Sequence, residues 1–312
     1  MKWILKITSG VVLLALIAAL WFLIPAHLQV RSVEPKFPSD EALLALTQVT
    51  DGQSTPSKIS YILTSSQTLQ RGQISHISIV VEWQDGKRFL IDTGMDHQAA
   101  QQFSELLQKM DSVAGAAKVE GSISELLGAE IDNITAVGFT HLHIDHTQGT
   151  KNLCEARATR AKSAVLLQTT SQKQLHNFNT TEGADIVANS CLQAVDFPKN
   201  YDDNLYHSAL FPGLAAFELG GHTPGSTLWA VALGEKVFLF SGDITNDAAS
   251  LHQDIPKSLL YSYVIVPENT KRTAKIRQWL NNLDQQHNFS VIVSHDLVNT
   301  QRYLPEFGSD NI

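Results

Sequence analysis

The chain has 312 residues, 43% hydrophobic and 17% charged, an ordinary balance for one large or two small globular domains with an apolar segment added. Its net charge of −8 repels phosphate backbones and puts a nucleic-acid partner at a disadvantage. Two cysteines, Cys154 and Cys191, exclude a disulfide scaffold; a single pair formed in an oxidising compartment and two unpaired, half-buried thiols remain equal readings.

The N-terminal residues Met1 to Lys6 lead into an uncharged apolar run from Ile7 to Pro25. Its length is close to the roughly 20 residues that cross a bilayer as a helix. Lys2 and Lys6 precede the run and favour a cytoplasmic N-terminus, although Arg31 and Lys36 soon after it weaken the bias. Trp21 and Phe22 suit an interfacial belt, and no Ala-x-Ala cleavage site follows. The run therefore reads as an uncleaved single-pass anchor, residues 1–26, carrying an exported catalytic part. A cleaved signal peptide and a buried core helix are the competing readings. Residues 27–59, with Pro35, Pro38 and Pro56, read as a linker and domain entry, and residues 60–312 as one catalytic domain.

Regular alternation begins near residue 75. Ile77–Trp83 reads as a strand, Asp85-Gly86 as a hairpin turn and Arg88–Ile91 as the returning strand, which ends at Asp92-Thr93-Gly94. A helix is expected from about Gln98 to Met110, where Phe103, Leu106, Leu107 and Met110 recur at helical spacing. Ile134–Thr140 is a short apolar strand. Further strands are expected at 164–167, 215–219, 227–231, 237–240 and 291–293, and helices at 122–127 and 271–283. Strands and helices thus alternate, with hairpins mixed in, which places the chain in the α/β (α+β) class.

The chemistry concentrates in Thr140-His141-Leu142-His143-Ile144-Asp145-His146, which follows an apolar strand directly. Imidazole and carboxylate are ligands of a catalytic zinc that keeps a position open for water. In an extended stretch His141 and His143 point to one side and can share an ion. Asp145 and His146 can reach a second ion once the chain turns. A lone His-x-His would be weak evidence, but four ligand types clustered at a strand end are hard to obtain by accident. Three other segments have the same character: Gly220-Gly221-His222-Thr223-Pro224-Gly225-Ser226, Phe240-Ser241-Gly242-Asp243 and Val293-Ser294-His295-Asp296. Singly each has a bland reading, as a loop histidine, a helix cap or a capping partner. His97 reads as an exposed loop histidine sooner than a pocket residue. His27, His76, His176, His207, His252 and His287 have no motif around them and read as surface residues. No Gly-x-Ser-x-Gly elbow is present.

The order of these segments resembles the metallo-β-lactamase superfamily: an Asp-Thr-Gly turn, then His-x-His-x-Asp-His, a single His, a bridging Asp and a final His. The resemblance covers roughly residues 60–300. It implies an αββα sandwich with the metals at one edge between two packed sheets. It also implies two zinc ions per chain, other divalent metals being possible. His141, His143 and His222 would hold the first, Asp145, His146 and His295 the second, with Asp243 bridging and Asp92 supporting the ligand loop. Asp145 would orient the attacking water and carry its proton onward.

Among the branches, true β-lactamases lack the bridging aspartate. Glyoxalase-II-type thioesterases add a helical substrate domain after the last ligand, whereas 17 residues follow His295 here. Ribonuclease-Z-type nucleases need basic surface, and this chain is acidic. The Gly-His-Thr-Pro-Gly loop and the Ser-His-Asp segment resemble the lactonase-like group. Quorum-quenching lactonases usually carry a tyrosine three residues after the bridging aspartate; here that position is Asn246, an amide able to donate in its place. They often have an aromatic residue before Asp145, where this chain has Ile144. The expected activity is hydrolysis of a small-molecule lactone or carboxylic ester. A phosphodiesterase, nuclease or thioesterase of the same superfamily is the alternative, and a non-catalytic tethered module the reading from another class.

Overall fold

The computed structural model describes residues 2–48, 53–70, 72–158 and 163–309, with side chains from residue 7. In chain order the strands are β1 (Pro56–Leu69), β2 (Gly72–Trp83), β3 (Arg88–Ile91), β4 (Lys118–Val119), β5 (Ile134–Gly138), β6 (Val165–Leu167) and β7 (Gln193–Ala194). They are followed by β8 (Lys199–Asn200), β9 (Leu205–His207), β10 (Leu214–Glu218), β11 (Thr227–Leu233), β12 (Lys236–Phe240) and β13 (Phe289–Ile292). The first sheet has the order β4-β1-β2-β3-β5-β6-β7 and the second β13-β12-β11-β10-β9-β8. Hairpin pairing joins β1, β2 and β3, while β3, β5, β6 and β7 run parallel, as do β12 and β13.

Period-two alternation sorts the apolar side chains into layers. Ile79, Val81, Phe89 and Ile91 face Trp229, Val231, Phe238 and Phe240 in the core between the sheets. Their neighbours Val80, Leu90 and Val137 face outward and pack on Ile123, Leu127, Leu153 and Val187 of the helices covering the first sheet. Leu228, Ala230, Leu239 and Val291 face the other way, onto Leu251, Ile276, Leu280 and Leu283. Both sheets are thus covered on their outer faces by helices, which is the αββα sandwich.

Besides short elements the sequence does not announce, among them β4, β7, β8, β9 and helices at Thr150–Arg157, Thr181–Ala188 and Leu297–Tyr303, two stretches differ from the sequence expectation. β1 begins at Pro56 and runs as a long strand paired with β2, although regular alternation was expected only from about residue 75. Its apolar signal is diluted by buried polar residues, Ser60, Thr64, Ser65, Ser66 and Gln67, of which Thr64 and Gln67 bond to carbonyls of neighbouring segments. The stretch expected as a linker also packs on the domain. A helix at Asp40–Leu44, capped by the Ser39 side chain, puts Leu43 into the outer core of the second sheet together with Leu46. The N-terminal helix Lys2–Ala18 continues through a π turn at Ala19–Leu23 into a helix at Ile24–Arg31. Most of its residues from Ile7 to Leu20 are exposed, Phe22 touches Phe178 of the domain, and Ala26 and Val30 near its end are buried. Met1 and residues 310–312 lie outside the described residues. Cys154 and Cys191 form a disulfide, which decides between the two readings of the thiols.

Candidate metal centre

The strand ends build the site. β3 ends at Asp92, β5 runs into the loop carrying His141 and His143, and the short helix Ile144–Thr147 carries Asp145 and His146. His222 stands in the loop between β10 and β11, Asp243 in the 3-10 turn Gly242–Ile244 after β12, and His295 just after β13. Polar groups collect at such ends because the sandwich core excludes them and the loops there converge.

The seven residues form two groups that share one member. Ligand atoms of His141, His143, His222 and Asp243 lie within 4.8 Å of one another, and so do those of Asp145, His146, Asp243 and His295. Asp243 Oδ2 is 3.0 Å from His295 Nε2 and 3.8 Å from His222 Nε2, while Oδ1 is 3.4 Å from His146 Nε2. His146 Nε2, His222 Nε2 and Asp243 Oδ1 are buried with no hydrogen-bond partner. A cluster of buried imidazole nitrogens and carboxylate oxygens aimed at common points, with several left unpaired, fits divalent metal ions of the zinc type.

The far nitrogens of the histidines are held from behind. His146 Nδ1 lies 2.8 Å from Asp92 Oδ2, and Asp92 also accepts from the Thr140 backbone N–H at 2.7 Å and the Thr140 hydroxyl at 2.8 Å. Asp92 adopts φ of 60°, a left-handed conformation that costs energy in a non-glycine residue and is kept here by these three bonds. His295 Nδ1 meets the Ser75 carbonyl at 2.9 Å. His222 Nδ1 meets Glu268 Oε1 at 2.6 Å. Such outer partners fix which nitrogen faces a metal.

Sequence reasoning missed four residues of this site. His76, expected on the surface, is buried on β2, with Nδ1 3.5 Å from Asp145 Oδ2 and its ring 5.2 Å from that of His295. A bulge in the β1–β2 pairing near Thr64 aims it there, and no local pattern announces that. Glu268 is buried and also accepts from the Ser262 hydroxyl at 2.6 Å. Lys257 Nζ donates to the Asp243 carbonyl at 2.6 Å and to Glu268 at 3.2 Å, and its charge lies 4.9 Å from the ring centre of Tyr261. These three stand in a stretch without any motif. Asn246 is exposed, and its side chain makes no hydrogen bond among the described residues; His97 is exposed at the start of its helix.

Charge divides the two ligand groups. Burial, reinforced by neighbouring histidines, holds His141 well below the usual imidazole value and His143 at about 3. Burial and then Lys257 lower His222. The first group therefore offers neutral imidazoles, the form that binds metal. Burial would lower His146 as well, but Asp145, Asp92 and Asp243 outweigh it and hold it well above the usual value. His295 is raised against burial by Asp243 and Asp145. The carboxyls of Asp145 and Asp243 are lowered against burial by the surrounding histidines, and burial would raise Glu268 too, but Lys257 and His222 outweigh it and hold it at about 2. Burial and the carboxylates of Asp243, Glu268 and Asp145 push the Tyr261 phenol well above its ordinary value.

Residues 71–290 match the family model of the metallo-beta-lactamase superfamily. The chain belongs to that superfamily, and is a metal-dependent hydrolase of it. A variant of AiiA from B. thuringiensis, solved with N-decanoyl-L-homoserine at its active site, shares the fold at a TM-score of 0.58 and 15% identity, covering 81% of this chain and 98% of that one. An N-acyl homoserine lactone hydrolase with N-hexanoyl-L-homoserine at its catalytic metal centre gives 0.57 and 15%, with the same coverage. A quorum-quenching N-acyl homoserine lactone lactonase gives 0.58 and 14%, covering 80% and 97%. No curated protein matches the chain in sequence.

Proposed function

We propose that this chain is a two-zinc hydrolase of lactones or simple carboxylic esters, held in the membrane by its N-terminal helix with the catalytic domain exported. The observation that carries the reading is Asp243, the one carboxylate common to both ligand groups. The neighbours solved with acyl-homoserine products support the lactone over other carboxylic esters as substrate. His141, His143 and His222 would hold one ion, Asp145, His146 and His295 the other, with Asp243 between them and Asp92 and Glu268 behind the histidines. Bound there, the ions would supply Lewis acidity toward the scissile carbonyl and a water of lowered pKa.

The chain's own groups have distinct tasks. Asp145, ionised and beside His76, accepts the proton of the attacking water and passes it to the leaving alkoxide. Asn246 and Tyr261 are the two candidate donors to the substrate carbonyl. Tyr261 is the favoured one, because the carboxylates of Asp243, Glu268 and Asp145 act on its phenol and its ring lies against the lysine that donates to the Asp243 carbonyl. The purified chain is expected to hold close to two zinc ions and to hydrolyse lactones and esters, with weak or no β-lactam turnover. Elemental analysis together with a panel of lactones, esters, thioesters and phosphodiesters tests this. Ready cleavage of phosphodiesters or thioesters with no lactone or ester turnover rejects the reading in favour of those activities.

A further inference from the structure

Lys257 and Tyr261 approach the ligand cluster from a short segment whose other side is apolar and open. Leu259 is 73% exposed, Leu260 64% and Val264 49%, while Ser262 between them is buried and bonded to Glu268. The segment is therefore two-sided, polar toward the metal edge and apolar toward the exterior. A contiguous exposed apolar patch of this kind marks an interaction surface.

The N-terminal helix shows what covers it. His27 Nε2 lies 3.1 Å from the Tyr263 carbonyl, with the two rings 5.5 Å apart. Phe22 packs edge-on against Phe178 at 6.2 Å, and Gln29 Nε2 donates to the His176 carbonyl at 3.2 Å. Two loops of the domain are thus fixed beside the helix between Phe22 and Gln29, a stretch of about 10 Å at 1.5 Å per residue. The apolar run ends within that stretch. Trp21, 75% exposed, sits there with Phe22, and both are rings suited to the boundary between headgroups and acyl chains.

We infer that segment 255–264, with Phe178 beside it, docks on the lipid surface of the bilayer, so that the metal edge faces the membrane. The inference rests on the proposed reading of the N-terminal helix as a membrane span, and not on the substrate. Leu259, Leu260 and Val264 then enter the same shallow zone, 5–10 Å deep, that interfacial helices occupy. A substrate whose acyl chain lies in the lipid would reach Tyr261 and the ligand cluster from the inner side of this segment.

The test uses the full chain in phosphatidylcholine nanodiscs. Because Cys154 and Cys191 are paired, a single introduced cysteine carries an environment-sensitive fluorophore. Leu260→Cys and Val264→Cys are expected to show blue-shifted emission and loss of intensity with lipids spin-labelled at the headgroup. Glu235→Cys, in the turn between β11 and β12 at the far end of the sheet, reports the water-exposed baseline. Leu14→Cys, within the apolar run, is expected to be quenched by lipids spin-labelled deep in the acyl chain. Emission at 260 and 264 matching that at 235 overturns the docking, whatever happens at 14. An unquenched or missing probe at 14 overturns the membrane span, and quenching at 260 and 264 then upholds docking as a peripheral contact.

Discussion

At the scale of single residues, the site is decided by groups that touch the ligands from behind. Glu268 is the clearest case. Its carboxylate holds His222 Nδ1 at 2.6 Å and is itself held ionised by Lys257. Glu268→Gln keeps the shape and removes the charge that would make His222 a stronger ligand. Loss of such a partner typically weakens metal binding about 10- to 100-fold. Competition with a chelator measures this independently of turnover, and unchanged retention of metal would reject the role. Tyr261→Phe is expected to lower kcat by about 10²–10³, the loss for one donor to an oxyanion, with metal content unchanged. If the loss falls on Asn246→Ala instead, the sequence-level assignment is the right one. The contrast between these residues also explains what could be read in advance. His141, His143, Asp145 and His146 are neighbours in sequence, so their convergence is local. Glu268, Lys257, Tyr261 and His76 meet the ligands only because distant segments pack together, and no spacing rule records that.

At the scale of elements, the two- and three-residue strands β4, β7, β8 and β9 are too short to show a period, whereas elements with a clearly periodic apolar face, such as Arg88–Ile91, Thr227–Leu233 and His97–Met110, were legible. β1 was not, since its buried serines and threonines hide the alternation. The close packing of elements was invisible for a different reason: it depends on missing atoms. At Gly183, in the helix Thr181–Ala188, an added Cβ would stand 2.1 Å from the Leu142 carbonyl oxygen in the ligand loop. Gly183→Ala must push that helix off the loop, and overpacking of this kind costs about 1–3 kcal/mol. Denaturant unfolding checks it; an unchanged midpoint would mean the loop yields freely. On the other flank, Glu218 at the end of β10 accepts from the Ser171 backbone N–H at 2.8 Å and from Lys199 at 3.2 Å. Burial pushes this carboxyl up, but the Ser171 bond and Lys199 outweigh it and lower it below 4.5. A carboxyl lowered by folding stabilises the native state above 4.5 and loses that contribution as pH falls through the lowered value. Glu218→Gln is therefore expected to flatten the acid limb of the stability curve by at most about 1 kcal/mol. An acid limb of unchanged slope would show that the pair contributes nothing.

For the whole molecule, the apolar N-terminal helix and the disulfide bear on the same question, which side of a membrane the domain occupies. The helix alone is ambiguous, since a signal sequence has the same length and composition. The disulfide adds an independent constraint, because thiols in a reducing cytosol stay unpaired. Cys154 lies in the helix Thr150–Arg157, whose first residue contacts Thr93 beside the ligand loop, and Cys191 lies 37 residues further on. Closing a loop of that length restricts the unfolded chain by about 3–4 kcal/mol on the chain-entropy account. For a domain of this size each kcal/mol shifts the melting temperature by roughly 2–4 °C. Chain recovered from the membrane of an exporting host should therefore show no free thiols and should melt roughly 6–16 °C lower after reduction. A reporter fused after Ile312 should be active only if it functions outside the cytoplasm. The same chain with free thiols, a cytoplasmic reporter and one melting temperature with or without reductant would place the domain on the inner side, and the exported reading would fall.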